Sequence, residues 1–137
     1  MWVQHYLACD HLTIQDISVA SRNANYNNDG IDIDGCHFVR ISGCDISAED
    51  DGIVLKSTLN RLCENIMVDN CRISSLANAF KLGTETNGGF KNITFVNSEI
   101  YNTNNSGIAL EFVDGGIIDG VFISNITMSD VSNPMNN

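Results

Sequence analysis

The chain predicts an all-β, right-handed parallel β-helix of about five coils, each of roughly 27 residues. Three observations carry this: a fixed internal period, apolar and polar residues alternating in twos, and columns of like residues in successive repeats. Leu12-Thr13-Ile14, Val39-Arg40-Ile41, Ile66-Met67-Val68, Ile93-Thr94-Phe95 and Val121-Phe122-Ile123 follow one another at steps of 27, 27, 27 and 28. Val19, Ile46, Ile73, Ile100 and Met128 keep the same steps. A unit this short cannot bury its apolar face alone and must stack on its neighbours.

Within a coil the elements follow in order. The first strand reads Ile31-Asp32-Ile33, Ile53-Val54-Leu55, Phe80-Lys81-Leu82 or Ile108-Ala109-Leu110, and one side chain in two points inward. The second strand is the Leu12 column, and the Val19 column marks a further apolar position. No stretch places apolar residues at offsets of 3, 4 and 7 over a dozen residues, which excludes helical repeats. A leucine-rich repeat would need Leu at most inner positions, where this chain has mostly Ile and Val. Coils stacked about 4.8 Å apart would make a rod of about 24 Å.

Stacking also predicts ladders of identical residues. Cys9, Cys36 and Cys63 lie 27 apart with Phe90 next in line, and Cys44 and Cys71 form a second column. Five cysteines is an odd number, and no paired Cys-x-x-Cys spacing suggests a metal knuckle. They read as small apolar ladder residues with free thiols, although a bridge between adjacent coils is sterically allowed. Asn70, Asn97 and Asn125 are expected to be buried amides bonded to one another and to the backbone at a turn. Phe38, Phe80, Phe90, Phe95, Phe112 and Phe122 are expected in the core. Trp2, Tyr6, Tyr26 and Tyr101 could stack on sugar rings, but their spacing marks no platform. His5, His11 and His37 are read as surface or loop residues away from the first-strand entrances.

The formal net charge is -10, from 17 acidic and 7 basic residues. A phosphate-binding surface needs clustered Lys and Arg, so nucleic acid is not an expected partner. No apolar run is long enough to cross a membrane, and no basic-then-apolar leader is visible at the start. Both ends are abrupt, so residues 1–137 are expected to form a single β-helix segment lacking both terminal caps and belonging to a longer chain. Oligomeric state is open.

The residues that a ladder does not require are acidic. Asp-Gly-Ile occurs as Asp29-Gly30-Ile31 and again as Asp51-Gly52-Ile53, with Asp50 directly before the second copy. Both copies enter the same strand on consecutive coils, so Asp29, Asp50 and Asp51 gather at one strand end, with Glu49, Asp32 and Asp34 nearby. Like charges this close raise at least one pKa. Glycoside hydrolysis needs one protonated carboxyl and one ionised carboxylate, and a crowded trio can hold both states at one pH. Two other uses stay open. Asp and Asn also cap turns at strand entrances, and clustered oxygens also suit calcium. A calcium-dependent lyase would want an Arg base, which the cluster lacks. No metal or cofactor is expected.

The stretch Asn27-Asn28-Asp29-Gly30-Ile31-Asp32-Ile33-Asp34 and the later Asp50-Asp51-Gly52-Ile53-Val54-Leu55-Lys56-Ser57 resemble the paired N-T-D-G and G-D-D motifs of glycoside hydrolase family 28. The resemblance implies a polygalacturonase- or rhamnogalacturonase-like inverting hydrolase with a carbohydrate substrate, secreted or periplasmic in its parent protein. It implies Asp50 as general acid and Asp29 with Asp51 as the pair activating water, at carboxyl separations of about 6.5–9.5 Å. Glu49 replaces a family Gly. The G-H-G motif aligns with Ala77-Asn78-Ala79, putting Asn78 where the family has His. The R-I-K motif aligns with Ala109-Leu110-Glu111, so both cations that grip the uronate carboxylate in pectin-degrading members are absent. Asn78, Lys56, Lys81, Glu85 and Glu111 are the candidate substrate-binding residues. Each Lys is otherwise a solvated face residue or a partner for Asp34, Asp51 or Glu111, with Lys81 one coil beyond Lys56. The rival reading is a non-catalytic β-helix serving as a glycan-binding or structural module.

Overall fold

The computed structural model describes residues 2–23 and 26–136. These contain strands and no helix, and all the strand pairs are parallel. The chain winds as a solenoid with three walls. The first wall runs β1 (Gln4–Leu7), β4 (Ile31–Asp34), β7 (Ile53–Ser57), β10 (Phe80–Thr86) and the end of β11 (Phe90–Leu110). The second runs β2 (Asp10–Gln15), β5 (His37–Ser42), β8 (Cys63–Asp69) and the start of β11. The third takes β3 (Ser18–Ala20), β6 (Asp45–Ala48), β9 (Arg72–Ser75) and the middle of β11. β12 (Ile118–Asn136) pairs with β11 along most of its length.

The registers follow the predicted columns. Leu12 pairs with Val39, Val39 with Ile66, Ile66 with Ile93 and Ile93 with Val121. The Val19 column is likewise continuous through Ile46, Ile73, Ile100 and Met128. Inward residues from all three walls fill one core, in which Ile33, Ile41, Ile46, Leu55, Val68 and Phe95 are fully buried. Phe80 stacks on Phe95 across it, with ring centroids 4.3 Å apart. The five cysteines are free. Cys36, Cys44, Cys63 and Cys71 are buried, and Cys9 is partly exposed. Phe90 pairs with Cys63 as the column requires.

The corners between walls explain why some expectations fail. Asp16, Gly43, Asn70, Asn97 and Asn125 share one corner, and every one has positive φ, between 50° and 66°. A single left-handed residue turns the chain there, and Asn and Asp are favoured because they tolerate that conformation. Asn70, Asn97 and Asn125 are therefore exposed, not buried. Asn125 Nδ2 still donates to Asn97 Oδ1 at 2.7 Å, while Asn70 turns to Asp69. A second left-handed corner holds His11, Phe38, Asn65, Asn92 and Gly120. It projects Phe38 outward, 53% exposed, to stack on His11 at 4.9 Å. Phe122 is 61% exposed because it aligns with Thr94, on the outward side of the second wall. Neither phenylalanine belongs to the core.

The first wall departs from simple alternation. All of β4 and β7 is buried, on both faces. Their outward positions carry Asp32, Asp34, Val54 and Lys56, so this wall is covered outside by its own charged side chains.

Candidate active site

Coils enter the first wall through stacked corners at Asp29, Asp51, Asn78 and Ser106, each two residues ahead of the aligned Ile31, Ile53, Phe80 and Ile108. Backbone bonds fix the stack: Gly30 N–H donates to Asp51 O at 2.9 Å, Gly52 N–H to Asn78 O at 2.8 Å and Ala79 N–H to Ser106 O at 3.0 Å. The glycine after Asp51 has a steric reason. A Cβ on Gly52 would lie 2.5 Å from both Ala79 O and Ile73 Cγ2. Asp50 sits one residue earlier, its carbonyl receiving the Ser75 hydroxyl.

The three predicted acids converge. One carboxylate oxygen of each of Asp29, Asp50 and Asp51 lies within 4.8 Å of the others. Asp29 and Asp51 are 3% and 5% exposed, and Asp50 is the most accessible of the three. Burial, with the charges of Asp51 and Asp50, raises the Asp29 carboxyl to about 6, against a hydrogen bond with Asp32 that pulls it down. Burial also raises Asp50, helped by Asp51 and Glu49.

Around the trio the remaining candidates are locked into pairs. Asn78 donates to Asp51 Oδ1 from its backbone N–H at 3.0 Å and from Nδ2 at 2.8 Å, and its Oδ1 accepts from Ser106 N–H at 3.2 Å. Its side chain positions Asp51. Lys81 Nζ bridges Asp51 Oδ2 and Glu111 Oε2, both at 3.1 Å. Burial opposes the charge on Lys81, but Asp51 and Glu111 outweigh it and hold the group above the usual lysine range. Lys56 Nζ pairs with Glu85 Oε2 at 3.0 Å, overriding burial to keep Glu85 below the usual carboxylate range. It also lies 4.6 Å from the Trp2 ring centroid.

Neither lysine is a solvated face residue. Lys56 is 5% exposed and the Lys81 side chain 13%. Nor do they share a column: Lys81 aligns with Val54, and Lys56 with Asp34. His5 is exposed, as expected of a surface residue, and β1 puts it in register with Asp32 on the site wall, bonded to Asp34 Oδ2 at 3.1 Å. Beyond Asn78 and Glu111 the wall opens into a cleft of about 380 Å³ that also includes Ser106 and Asn133.

The sequence places Asp32 near the trio but does not mark it as buried. Asp32 is 0% exposed, and neither of its carboxyl oxygens has a hydrogen-bond donor. Its only sequence signal is the Ile-Asp-Ile-Asp alternation, where an outward Asp looks ordinary. The trio's oxygens could also gather around a cation, but Lys81 already brings positive charge to Asp51 at 3.1 Å.

Fold and site together define a class: a parallel β-helix that presents clustered carboxylates on one outer wall. The profile of glycosyl hydrolases family 28 matches residues 3–136, and the chain belongs to that family. It is 26% identical over 131 residues to endopolygalacturonase B of Aspergillus niger, covering 92% of this chain and 35% of the relative. It is 25% identical over 164 residues to a polygalacturonase of Saccharomyces cerevisiae, covering 93% and 45%. Endopolygalacturonase I of Aspergillus aculeatus is 28% identical over 130 residues, covering 90% and 33%. The chain thus spans about a third to under half the length of these relatives.

Proposed function

We propose that the chain carries the catalytic segment of a glycoside hydrolase that cleaves a glycosidic bond in a pectin-type or related plant polysaccharide or oligosaccharide. The observation that carries this reading is the convergence of Asp29, Asp50 and Asp51 on one wall with unequal surroundings. Asp50 is the most accessible and its pKa is raised, which suits a general acid donating to the leaving oxygen. Asp29 and Asp51 are deeper, and Asp51 is held by Asn78 and Lys81, which suits a fixed pair that polarises water. Inversion rests on the family resemblance alone.

The substrate is argued from charge. Glu111 stands where the family pattern has Lys, and both lysines at the site are committed to carboxylates. No free cation remains among the described residues at these positions to grip a uronate, while the wall is rich in carboxylates that would repel one. This favours a rhamnose-containing or neutral glycoside over polygalacturonate. The whole protein is proposed to be secreted or periplasmic, with residues 1–137 as a single segment of its β-helix.

Reducing-sugar release across a panel of pectins and hemicelluloses tests the activity. Asp50→Asn is expected to remove nearly all turnover with the fold intact, and retained turnover would end its assignment as the acid. Proton NMR of the first product reads its anomeric configuration, and a retained anomer would overturn inversion. The commitment of Asn78 and both lysines to the protein itself favours one alternative, a glycan-binding β-helix without chemistry. Binding to the same panel without release would select it.

A further inference from the structure

We infer that Asp32 is held as a neutral carboxylic acid whose O–H donates to Asp29, making it a positioning residue for the acid cluster. Asp34 is also fully buried on the outward face, but it is surrounded by donors: Thr58 N–H at 2.9 Å, Thr58 Oγ1 at 2.7 Å and His5 Nε2 at 3.1 Å. Asp32 has none of these. Its register partner on β7 is Val54, and its partner on β1, His5, is already spent on Asp34. The nearest cation is Lys56, whose Nζ stands 3.8 Å from Asp32 Oδ1, too far for a hydrogen bond, and instead reaches Glu85 at 3.0 Å.

A buried carboxylate without donors is among the least favourable arrangements a protein can hold. A proton removes the difficulty. Asp29 is the polar group in contact with Asp32, and two ionised carboxylates there would meet acceptor to acceptor. With one proton on Asp32, the repulsion becomes a hydrogen bond. Burial first, then the Asp29 charge and that hydrogen bond, with Asp51 adding, raise Asp32 to about 9, against the pull of Lys56. The same bond works in reverse on Asp29, favouring its ionised form against burial and the charges of Asp51 and Asp50. On the proposed hydrolase reading, on which this last step rests, Asp32 keeps a deeply buried base ionised and fixes which oxygen faces the groove.

Infrared spectroscopy of the protein near neutral pH tests the protonation without any assay of turnover. The wild type is expected to show protonated-carboxyl carbonyl absorption with one component that is lost in Asp32→Asn and persists in Asp50→Asn, Asp34→Asn and Asp29→Asn. An Asp32→Asn spectrum that has lost no such component overturns the inference. Kinetics supply the second readout. Asp32→Leu removes the donor, so kcat is expected to fall by about a hundredfold and the acidic limb of its pH profile to move up by about one unit, with KM little changed. Asp32→Asn retains an N–H donor and is expected to lose less than about tenfold, with the limb in place. Equal losses in the two variants would show that a charged Asp32 is required and would overturn the inference. If no substrate is turned over at all, the hydrolase reading fails while the infrared result still decides the proton.

Discussion

Replacing Lys81 by Met should unbalance the site more than any other surface-side substitution. Nζ lies 3.1 Å from Asp51 Oδ2 and 3.1 Å from Glu111 Oε2. At an effective dielectric constant of about 20, each contact is worth about 5 kcal/mol of attraction before the desolvation of both partners is subtracted. Breaking a buried pair by removing one member typically costs about 3–5 kcal/mol. Two features reduce that here. The Glu111 side chain is 31% exposed and can rehydrate, and Asp51 keeps two N–H donors from Asn78. Asp51 itself cannot rehydrate, because its side chain is only 7% exposed. The expected loss is therefore about 2–4 kcal/mol, read as a drop of about 1–2 M in the urea midpoint at unchanged slope. Adding Asp51→Asn to Lys81→Met should restore much of the loss, since the orphaned charge goes with it. Glu111→Gln alone should change stability by less than about 1 kcal/mol. A Lys81→Met variant within about 0.5 kcal/mol of wild type, or a double variant no better than the single one, would refute the reasoning.

Protonation predicts an unusual pH dependence. Asp29 and Asp32 have folded-state pKa values raised from 3.8 to about 6 and about 9, so above 3.8 the folded protein binds more protons than the unfolded chain. The stability they contribute is complete below 3.8 and is lost as pH rises through the folded values, at up to about 1.4 kcal/mol per pH unit per proton. Urea midpoints of wild type and Asp32→Asn should therefore diverge between about pH 5 and pH 8, with the variant gaining on the wild type as pH rises; parallel curves would contradict this. Gly52→Ala should destabilise by about 1–3 kcal/mol, because the added methyl meets backbone and core on the neighbouring coil. Gly115→Ala, at φ +80° with nothing within 4 Å, should lose only about 1 kcal/mol in the same urea titration. Burial pushes the Cys63 and Cys71 thiols up to about 12 and also raises Cys36. Alkylation of the native protein should then be confined largely to Cys9, and all five thiols should react after unfolding; fast native labelling of Cys63 or Cys71 by peptide mapping would show that the core opens.

The solenoid was legible in one dimension because its physics is one-dimensional. A coil is stable only against its neighbours, so like residues recur at like positions, and counting in steps of 27 recovers the register of Leu12, Val39, Ile66 and Ile93. Asp29 and Asp51 lie 22 residues apart, off that step, and it is the repeated Asp-Gly-Ile at the strand entrance that aligns them and brings Asp50 beside them, which is why the acidic trio could be named without coordinates. The period states which way a side chain points, and that is where its information stops. It does not state what lies over the outer wall, because that depends on how far side chains reach from adjacent coils. So the sequence leaves Lys56 and Lys81 open between solvated residues and carboxylate partners, and the structure decides for pairing: Lys81 with Asp51 and Glu111, two of the partners the sequence offers, and Lys56 with Glu85, which is not among them. Asn70 recurs as Asn97 and Asn125, and Phe38 falls in the column of His11, Asn65 and Asn92, for a backbone reason, a left-handed corner, that periodicity cannot distinguish from burial. Asp32 is the clearest case. Its sequence and its strand position resemble those of Asp34, and only the tertiary arrangement, which surrounds one with donors and leaves the other facing Asp29, decides that they differ.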